Sequence, residues 1–248
     1  LEIMQHPDKH AQPIGRIVEV LGNYADPGME IEIALRKHDL PYEFPRDAER
    51  QAKAISPVVA AEDWAGREDI RNLPLVTIDG ETARDFDDAV YCTPEKGGYR
   101  LVVAIADVSH YVQSGDALDR EAILRGNSVY FPRRVIPMLP EELSNGLCSL
   151  NPHVDRLCMV CDMHVTSSGD ISQYRFYPSV MYSNARLTYT QVAEMLAQPD
   201  GELAKSNAAI VPHLQHLHAL FQKLLKAREK RGAIDFETVE TQMIFTGQ

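Results

Sequence analysis

Residues 75–90 read Leu-Val-Thr-Ile-Asp-Gly-Glu-Thr-Ala-Arg-Asp-Phe-Asp-Asp-Ala-Val, and the other predicted features are arranged around them. The apolar run from Leu75 to Ile78 and the run from Ala89 to Tyr91 both predict buried β-strands. Gly80 lies between these runs and predicts a tight turn. Four carboxylates are therefore expected where one strand ends and the next begins, on Asp79, Asp85, Asp87 and Asp88.

This acidic run has the composition of a divalent metal site. A folded chain rarely gathers so much negative charge beside its core without a cation to neutralise it. All the donors are oxygens, with no His or Cys among them, which favours Mg²⁺, with Mn²⁺ as the alternative. Such a cluster suits two-metal phosphoryl transfer, in which ions about 4 Å apart activate water and stabilise the leaving oxygen.

Three other interpretations of the acidic run compete with a two-metal site. An EF-hand is excluded, because Val90 and Lys96 stand where its sixth-position Gly and twelfth-position Glu are required. A phosphotransferase with a nucleophilic aspartate could use Asp85-Phe-Asp87 after a strand, but it would not need the other two acids. A solvated acidic turn needs no ligand, and a single acidic run is a weak motif. The residues alone leave these last two interpretations open beside the metal site.

The overall composition is that of a soluble globular protein. The chain has 248 residues, of which 44% are hydrophobic and 25% charged, enough for a full core and a second small module. No apolar run approaches the ~20 residues of a membrane helix, and no signal peptide is recognisable. We therefore expect a cytoplasmic protein with no membrane partner. The chain begins at Leu1 rather than Met, which suggests a piece of a longer protein.

The net charge of −11 by itself argues against binding to nucleic acid, because Lys and Arg supply affinity for phosphates. Acids that hold metal ions, and basic modules outside this sequence, would weaken that objection.

The four cysteines, Cys92, Cys148, Cys158 and Cys161, match no disulfide framework and favour a reducing compartment. Cys158 and Cys161 form a Cys-x-x-Cys within an apolar run that predicts a strand. Side chains three residues apart on a strand point to opposite faces, so the two thiols cannot easily share a metal. Core packing is the expected role.

Residues 1–45 predict β-structure that belongs to the end of a small barrel. The alternation from Ile14 to Leu21 predicts one strand, and the alternation from Met29 to Leu35 predicts another. Residues 46–72 are polar and rich in alanine, and they predict a linker that contains a short helix.

Residues 73–248 predict a mixed α/β domain of the α+β type. Strands are expected at 73–78, 99–108, 156–166 and 172–181, helices at 117–125, 190–198 and 208–231, and an irregular, proline-containing segment at 129–139. In the last helix, apolar residues fall on one stripe at helical spacing. His213, His216 and His218 are expected on its exposed side.

Several separate blocks resemble the RNB-domain exoribonucleases, the ribonuclease II/ribonuclease R family. The blocks lie at 78–90, 103–109, 126–132, 143–152, 184–189 and 232–237, in the same order as in the family. The resemblance runs from about residue 73 to the end of the chain, and residues 14–45 resemble the end of a cold-shock barrel. It therefore implies a truncated RNB catalytic domain preceded by the end of an OB-like cold-shock β-barrel.

The resemblance also implies an activity. The family removes nucleoside monophosphates one at a time from single-stranded RNA 3′ ends, with Mg²⁺ and water. Its four catalytic aspartates match Asp79, Asp85, Asp87 and Asp88, which would bind the metals and position the attacking water. Substitution of Asp88 or Asp87 is expected to be the most damaging.

The resemblance assigns RNA contacts as well. Family members clamp the last bases between two aromatic side chains, matched here by Tyr130 and Phe236. Stacking on an aromatic ring contributes ~1–3 kcal/mol per base to the binding free energy and depends little on which base is stacked. Arg133 and Arg134 follow Tyr130 and are candidates for phosphate contacts. Without a role in RNA binding, Phe236 would be a buried strand residue and Tyr130 would anchor a loop. The two arginines would then be ordinary surface charges.

The function expected from the resemblance is processive 3′→5′ hydrolysis of RNA to 5′-mononucleotides. A non-catalytic RNA-binding or scaffold protein on the same fold is the alternative, and an unrelated acidic-loop phosphatase is a third. The family's later catalytic Arg and Glu have no match within 248 residues, so the chain alone is expected to be inactive. The sequence does not identify any protein partners.

Overall fold

The computed structural model describes residues 1–24, 26–132 and 134–234. The strands are β1 (Glu2–Gln5), β2 (Ile14–Arg16), β3 (Glu68–Asp69), β4 (Val76–Asp79), β5 (Asp88–Glu95), β6 (Gly98–Ala106), β7 (Val129–Phe131), β8 (Arg134–Ile136), β9 (Asp155–Thr166), β10 (Ile171–Tyr182) and β11 (Ala185–Thr188). The helices are α1 (Met29–Lys37), α2 (Arg46–Ala54), α3 (Val108–Tyr111), α4 (Ala117–Arg125), α5 (Tyr189–Ala197), α6 (Glu202–Ser206) and α7 (Val211–Lys230), with a 3₁₀ turn at Ala61–Trp64 and a π-helical turn at Glu142–Leu147.

A seven-stranded mixed sheet forms the centre of the fold, in the order β11-β4-β5-β6-β9-β10-β3. The outer pairs β11–β4 and β10–β3 are parallel, and the inner pairs are antiparallel. The acidic residues lie in the connection between β4 and β5. Asp79 pairs with Thr188 of β11, and Asp88 pairs with Ile105 of β6, so ladder residues hold both ends of this connection.

Side chains along a strand alternate between the two faces of a sheet, and here both faces are packed. Ala89 of β5 belongs to a core that α2, α4 and the π-helical turn complete with Ala48, Ala52, Leu118, Leu143 and Leu147. Val90 packs with the core of α5, α6 and α7, and Cys92 packs against Leu220 of α7. Each buried Leu contributes about 1.5–3 kcal/mol, so these three clusters stabilise the sheet that carries the acidic connection. The predicted mixed α/β class is confirmed.

The N-terminal segment differs from the prediction. Residues 29–35, predicted as a strand, lie in α1, and only Ile14–Arg16 of the predicted strand at 14–21 forms a strand. The α1 helix has Glu30 and Glu32 in its first turn and Arg36 and Lys37 in its last, which suits the helix dipole. The apolar alternation is also compatible with a helix, in which Met29 and Leu35 are the buried residues.

The segment 129–139 is also more regular than predicted, since it contains the antiparallel hairpin of β7 and β8. Pro132 lies between the two strands and Pro137 follows the second, so these prolines bound the strands without interrupting their hydrogen bonds. This hairpin sets the position of Tyr130.

The other predicted strands and helices are present, with ends shifted by a few residues at most. His218 is exposed as predicted, but His213 and His216 are partly buried, because α7 packs against β5. The ring of His213 lies 5.1 Å from that of Tyr91.

All four cysteines are free, and the thiol of buried Cys158 donates to the Ser179 carbonyl oxygen at 3.7 Å. Cys161 is half-buried, three residues further along β9. No described helix is long and apolar enough to span a membrane.

Candidate active site

The four predicted aspartates lie where the sequence pattern placed them. Asp79 ends β4, Asp88 begins β5, and Asp85 and Asp87 belong to the connection between those strands. The expected turn is present at Gly80, whose N–H donates to the Asp79 Oδ1 atom at 2.7 Å and whose carbonyl oxygen accepts the Ala83 N–H at 3.2 Å.

The carboxylates act on one another electrostatically. Partial desolvation raises the pKa of Asp87, and the negative charges of Asp85, Asp88 and Asp79 raise it further. Desolvation followed by the charge of Asp79 likewise raises the pKa of Asp88. Both side chains nevertheless stay accessible to water. Ionisation of these two carboxyl groups is therefore less favourable in the protein than in water. A cation that can reach them would relieve the repulsion.

No protein cation offsets this charge within the described residues. The ion pairs among residues 1–24, 26–132 and 134–234 include none of the four aspartates. The same part of the chain holds no group of three or more His, Cys, Asp or Glu side chains arranged to bind a metal by themselves. Mg²⁺ commonly takes one or two carboxylates and completes its octahedron with water and substrate phosphate oxygens. The donor set fits such an ion, shared with a phosphate, better than an all-protein cage.

Tyr130 stands beside this cluster. It belongs to β7, its hydroxyl donates to the Asp85 Oδ2 atom at 2.8 Å, and 63% of the residue is exposed. The hydrogen bond to Asp85, together with desolvation and the charge of Asp87, raises the pKa of Tyr130 to about 12. The phenol therefore stays protonated as a donor at neutral pH, while its ring remains open for stacking.

Of the other predicted RNA contacts, only Arg134 lies within the described residues. The guanidinium of Arg134 pairs with the Glu32 Oε1 atom of α1 at 2.5 Å, and Arg36 holds the same carboxylate. The Arg134 side chain is therefore engaged in an ion pair with α1. Arg133 and Phe236 lie outside the described residues.

Several residues that hold the acidic connection were not predicted. The connection is anchored by buried Phe86, whose ring lies 4.1 Å beneath the Arg186 guanidinium, and Arg186 also donates to the Ala83 carbonyl oxygen. The Asp87 carbonyl oxygen accepts the Ala106 N–H at 2.9 Å. The Ser149 hydroxyl also bonds to the backbone on both sides of Asp85. Arg186 and Ser149 both fall within blocks that resemble the family, which was the available signal.

Comparison with known proteins decides the family. The family model described as RNB domain matches residues 67–248. The chain belongs to the RNB-domain family. A cold shock domain model matches residues 1–45, so the predicted combination of a cold-shock segment and an RNB domain is confirmed.

Bacterial ribonuclease R proteins are among the curated relatives of this RNB-domain chain. It is 57% identical over 249 residues to ribonuclease R of Vibrio cholerae serotype O1 and 56% identical to ribonuclease R of Escherichia coli. Both alignments cover 100% of this chain and 30% of the relative. The chain therefore spans less than a third of the length of these relatives.

Solved structures agree with this assignment. Mycoplasma genitalium RNase R in complex with double-stranded RNA matches with a TM-score of 0.86 and 33% identity, over 94% of this chain and 41% of that one. Its complex with ribose methylated single-stranded RNA matches with a TM-score of 0.84 and 34% identity, over 92% and 35% of the two chains. Yeast Ssd1, a pseudonuclease, matches with a TM-score of 0.64 and 21% identity, over 82% of this chain and 26% of that one. At that identity the likeness shows the fold alone.

Proposed function

We propose that the intact protein is a cytoplasmic 3′→5′ exoribonuclease. It hydrolyses single-stranded RNA processively from its 3′ end to 5′-mononucleotides, with Mg²⁺, or Mn²⁺ in its place. The observation that carries this proposal is the acidic connection, in which the charges of the other three aspartates act on Asp87 and no described cation pairs with any of the four, beside the exposed ring of Tyr130. Membership of the RNB-domain family and high identity to bacterial ribonuclease R support it.

The aspartates would hold the metal ions and orient the reacting groups. The strand ends fix Asp79 and Asp88, and the connection between them supplies Asp85 and Asp87. When bound, Mg²⁺ polarises the scissile phosphate and lowers the pKa of the attacking water. The protein's contribution is then positioning, because phosphoryl transfer leaves little covalent work for side chains.

Tyr130 supports the site in two ways. Its hydroxyl directs one Asp85 oxygen, and its exposed ring offers a stacking surface to a terminal base. Phe236 is proposed as the second aromatic of the clamp and Arg133 as a phosphate contact, both from the resemblance. Arg134 would take a phosphate only after it exchanges its ion pair with Glu32.

A non-catalytic RNA-binding protein is the second candidate. Yeast Ssd1, a pseudonuclease, shares the fold, so the fold by itself does not separate an enzyme from a binding protein. The presence here of all four aspartates that match the family's catalytic set favours the enzyme. An acidic-loop phosphatase is the third candidate, and no feature of the described residues favours it.

The decisive experiment uses the protein at the full length of its natural reading frame. With Mg²⁺, single-stranded RNA labelled at its 3′ end should release labelled mononucleotide from the first turnover. RNA labelled at its 5′ end should shorten to a small end product without a ladder of intermediates. Asp88→Asn should stop release while RNA still binds, and the control Asp200→Asn, at an exposed position after α5, should leave release unchanged.

Other outcomes identify the alternatives. RNA binding with no release at any Mg²⁺ concentration would identify a binding protein. Hydrolysis of a phosphomonoester but not of RNA would identify a phosphatase.

A further inference from the structure

Ser149 contacts the acidic connection on both sides of Asp85. Its Oγ atom accepts the Phe86 N–H at 3.0 Å and donates to the Arg84 carbonyl oxygen at 3.3 Å. A hydroxyl can accept and donate at the same time, so one atom ties together the two peptide groups that flank Asp85. Ser149 is 0% exposed, and water therefore cannot replace it as the partner of the Phe86 N–H.

Ser149 is itself held from two directions. The Leu150 N–H donates to the Phe86 carbonyl oxygen at 2.7 Å, which adds a backbone bond beside the hydroxyl. The buried Arg156 of β9 donates from Nε to the Ser149 carbonyl oxygen at 2.9 Å and from a terminal nitrogen to the Asp155 carbonyl oxygen at 2.9 Å. A continuous path of hydrogen bonds therefore links the central sheet to the backbone around Asp85.

These hydrogen bonds from Ser149 oppose a repulsion that acts on the same backbone. The carboxylates of the connection repel one another, and repulsion favours a backbone that spreads them apart. The hydrogen bond from Tyr130 controls one oxygen of Asp85 but does not fix the backbone. The Ser149 hydroxyl bonds to the peptide groups on either side of Asp85, and these bonds limit how far the backbone there can turn.

We propose that Ser149 is a positioning residue for the metal-binding carboxylates, acting through the backbone of residues 84–86. This inference rests on the proposed function for the role of the metal. Residues that orient metal ligands from behind typically change metal affinity or activity about 10–100-fold when they are replaced. The same range is expected here.

The test measures Mn²⁺ binding to the intact protein, with free Mn²⁺ followed by electron paramagnetic resonance. Ser149→Ala should weaken Mn²⁺ binding about 10–100-fold, because the Phe86 N–H is left without a partner and the connection relaxes. Ser179→Ala is the matched control, since Ser179 is also 0% exposed and its hydroxyl has no hydrogen-bond partner within the described residues. This control should bind Mn²⁺ as the wild-type protein does. Wild-type affinity in a folded Ser149→Ala protein would overturn the proposal.

A second variant covers the case in which Ser149→Ala fails to fold. Ser149→Cys keeps a small polar side chain but forms weaker hydrogen bonds, so it should bind Mn²⁺ with an affinity between those of wild type and Ser149→Ala. Wild-type affinity in a folded Ser149→Cys protein would again refute the role.

The inference and the proposed function can fail separately. Weaker Mn²⁺ binding by Ser149→Ala would uphold the positioning role even if the intact protein released no mononucleotides from RNA. Release of mononucleotides together with unchanged Mn²⁺ binding by the variant would uphold the function and remove Ser149 from the site.

Discussion

Replacement of Asp107 by Ala should destabilise the fold more than any surface ion-pair variant. The carboxylate of Asp107, directly after β6, lies 2.6 Å from the Arg67 guanidinium and accepts the Ser109 hydroxyl at 2.6 Å. The Arg67 and Asp107 side chains are only 10% and 6% exposed. Asp107→Ala therefore leaves a positive charge buried without its main partner.

The size of the effect follows from that burial. Removal of one member of a buried ion pair costs about 3–5 kcal/mol, because the remaining charge has lost both water and its counter-charge. For a chain of this size, 1 kcal/mol lowers the unfolding temperature by about 2–4 °C, so a decrease of about 6–20 °C is expected. The exposed pair between Arg175 and Glu68 has the same 2.6 Å distance with side chains 55% and 48% exposed, and Glu68→Ala should cost less than about 1 kcal/mol.

The pH dependence supplies an independent check. Burial by itself raises the pKa of Asp107, but the Ser109 hydroxyl and the Arg67 guanidinium outweigh it and hold that pKa below its ordinary value. A lowered pKa gives stability that is present above the unfolded-state pKa, near 3.8, and is lost as pH falls through the folded-state pKa. The stability difference between wild type and Asp107→Ala should therefore shrink below about pH 4.

The assay is urea or thermal unfolding followed by circular dichroism, with both variants measured in parallel from pH 3 to pH 8. A loss of less than about 1 kcal/mol for Asp107→Ala, similar to that of Glu68→Ala, would refute the reasoning from burial.

Two further predictions concern the acidic site. Asp87→Asn should raise the metal-free unfolding temperature at neutral pH and reduce the rise caused by Mg²⁺, with Asp200→Asn as the neutral control. The stabilisation should grow as pH increases above about 4, because the raised pKa of Asp87 means that its ionisation opposes folding, and a constant difference would contradict this account. Tyr130→Ala should weaken RNA binding by ~1–3 kcal/mol through lost stacking, whereas Tyr130→Phe should keep that binding and lose only the contact with Asp85. Equal loss in both variants, measured by fluorescence anisotropy with labelled RNA, would assign the effect to the hydroxyl.

The sequence predicted correctly those strands, turns and helices that depend on neighbouring residues. The acidic connection was predicted from two apolar runs separated by a glycine, and the structure places β4, β5 and the turn there. The helix at 117–125 was predicted with both ends correct. The strand predicted at 29–35 was wrong, because an alternating apolar pattern in so short a segment does not separate strand from helix, and the charges at its two ends suit a helix dipole.

By itself the sequence determined the class of the fold, the position of the four aspartates along the chain and the donor chemistry that calls for a hard cation. These follow from residue type and spacing, which act over a few neighbouring residues. Only the tertiary structure decided that Tyr130 donates to Asp85, 45 residues away, and that Ser149 holds the backbone on either side of the same aspartate. Such contacts depend on how strands and turns distant in sequence pack against one sheet, and residue spacing does not encode that packing.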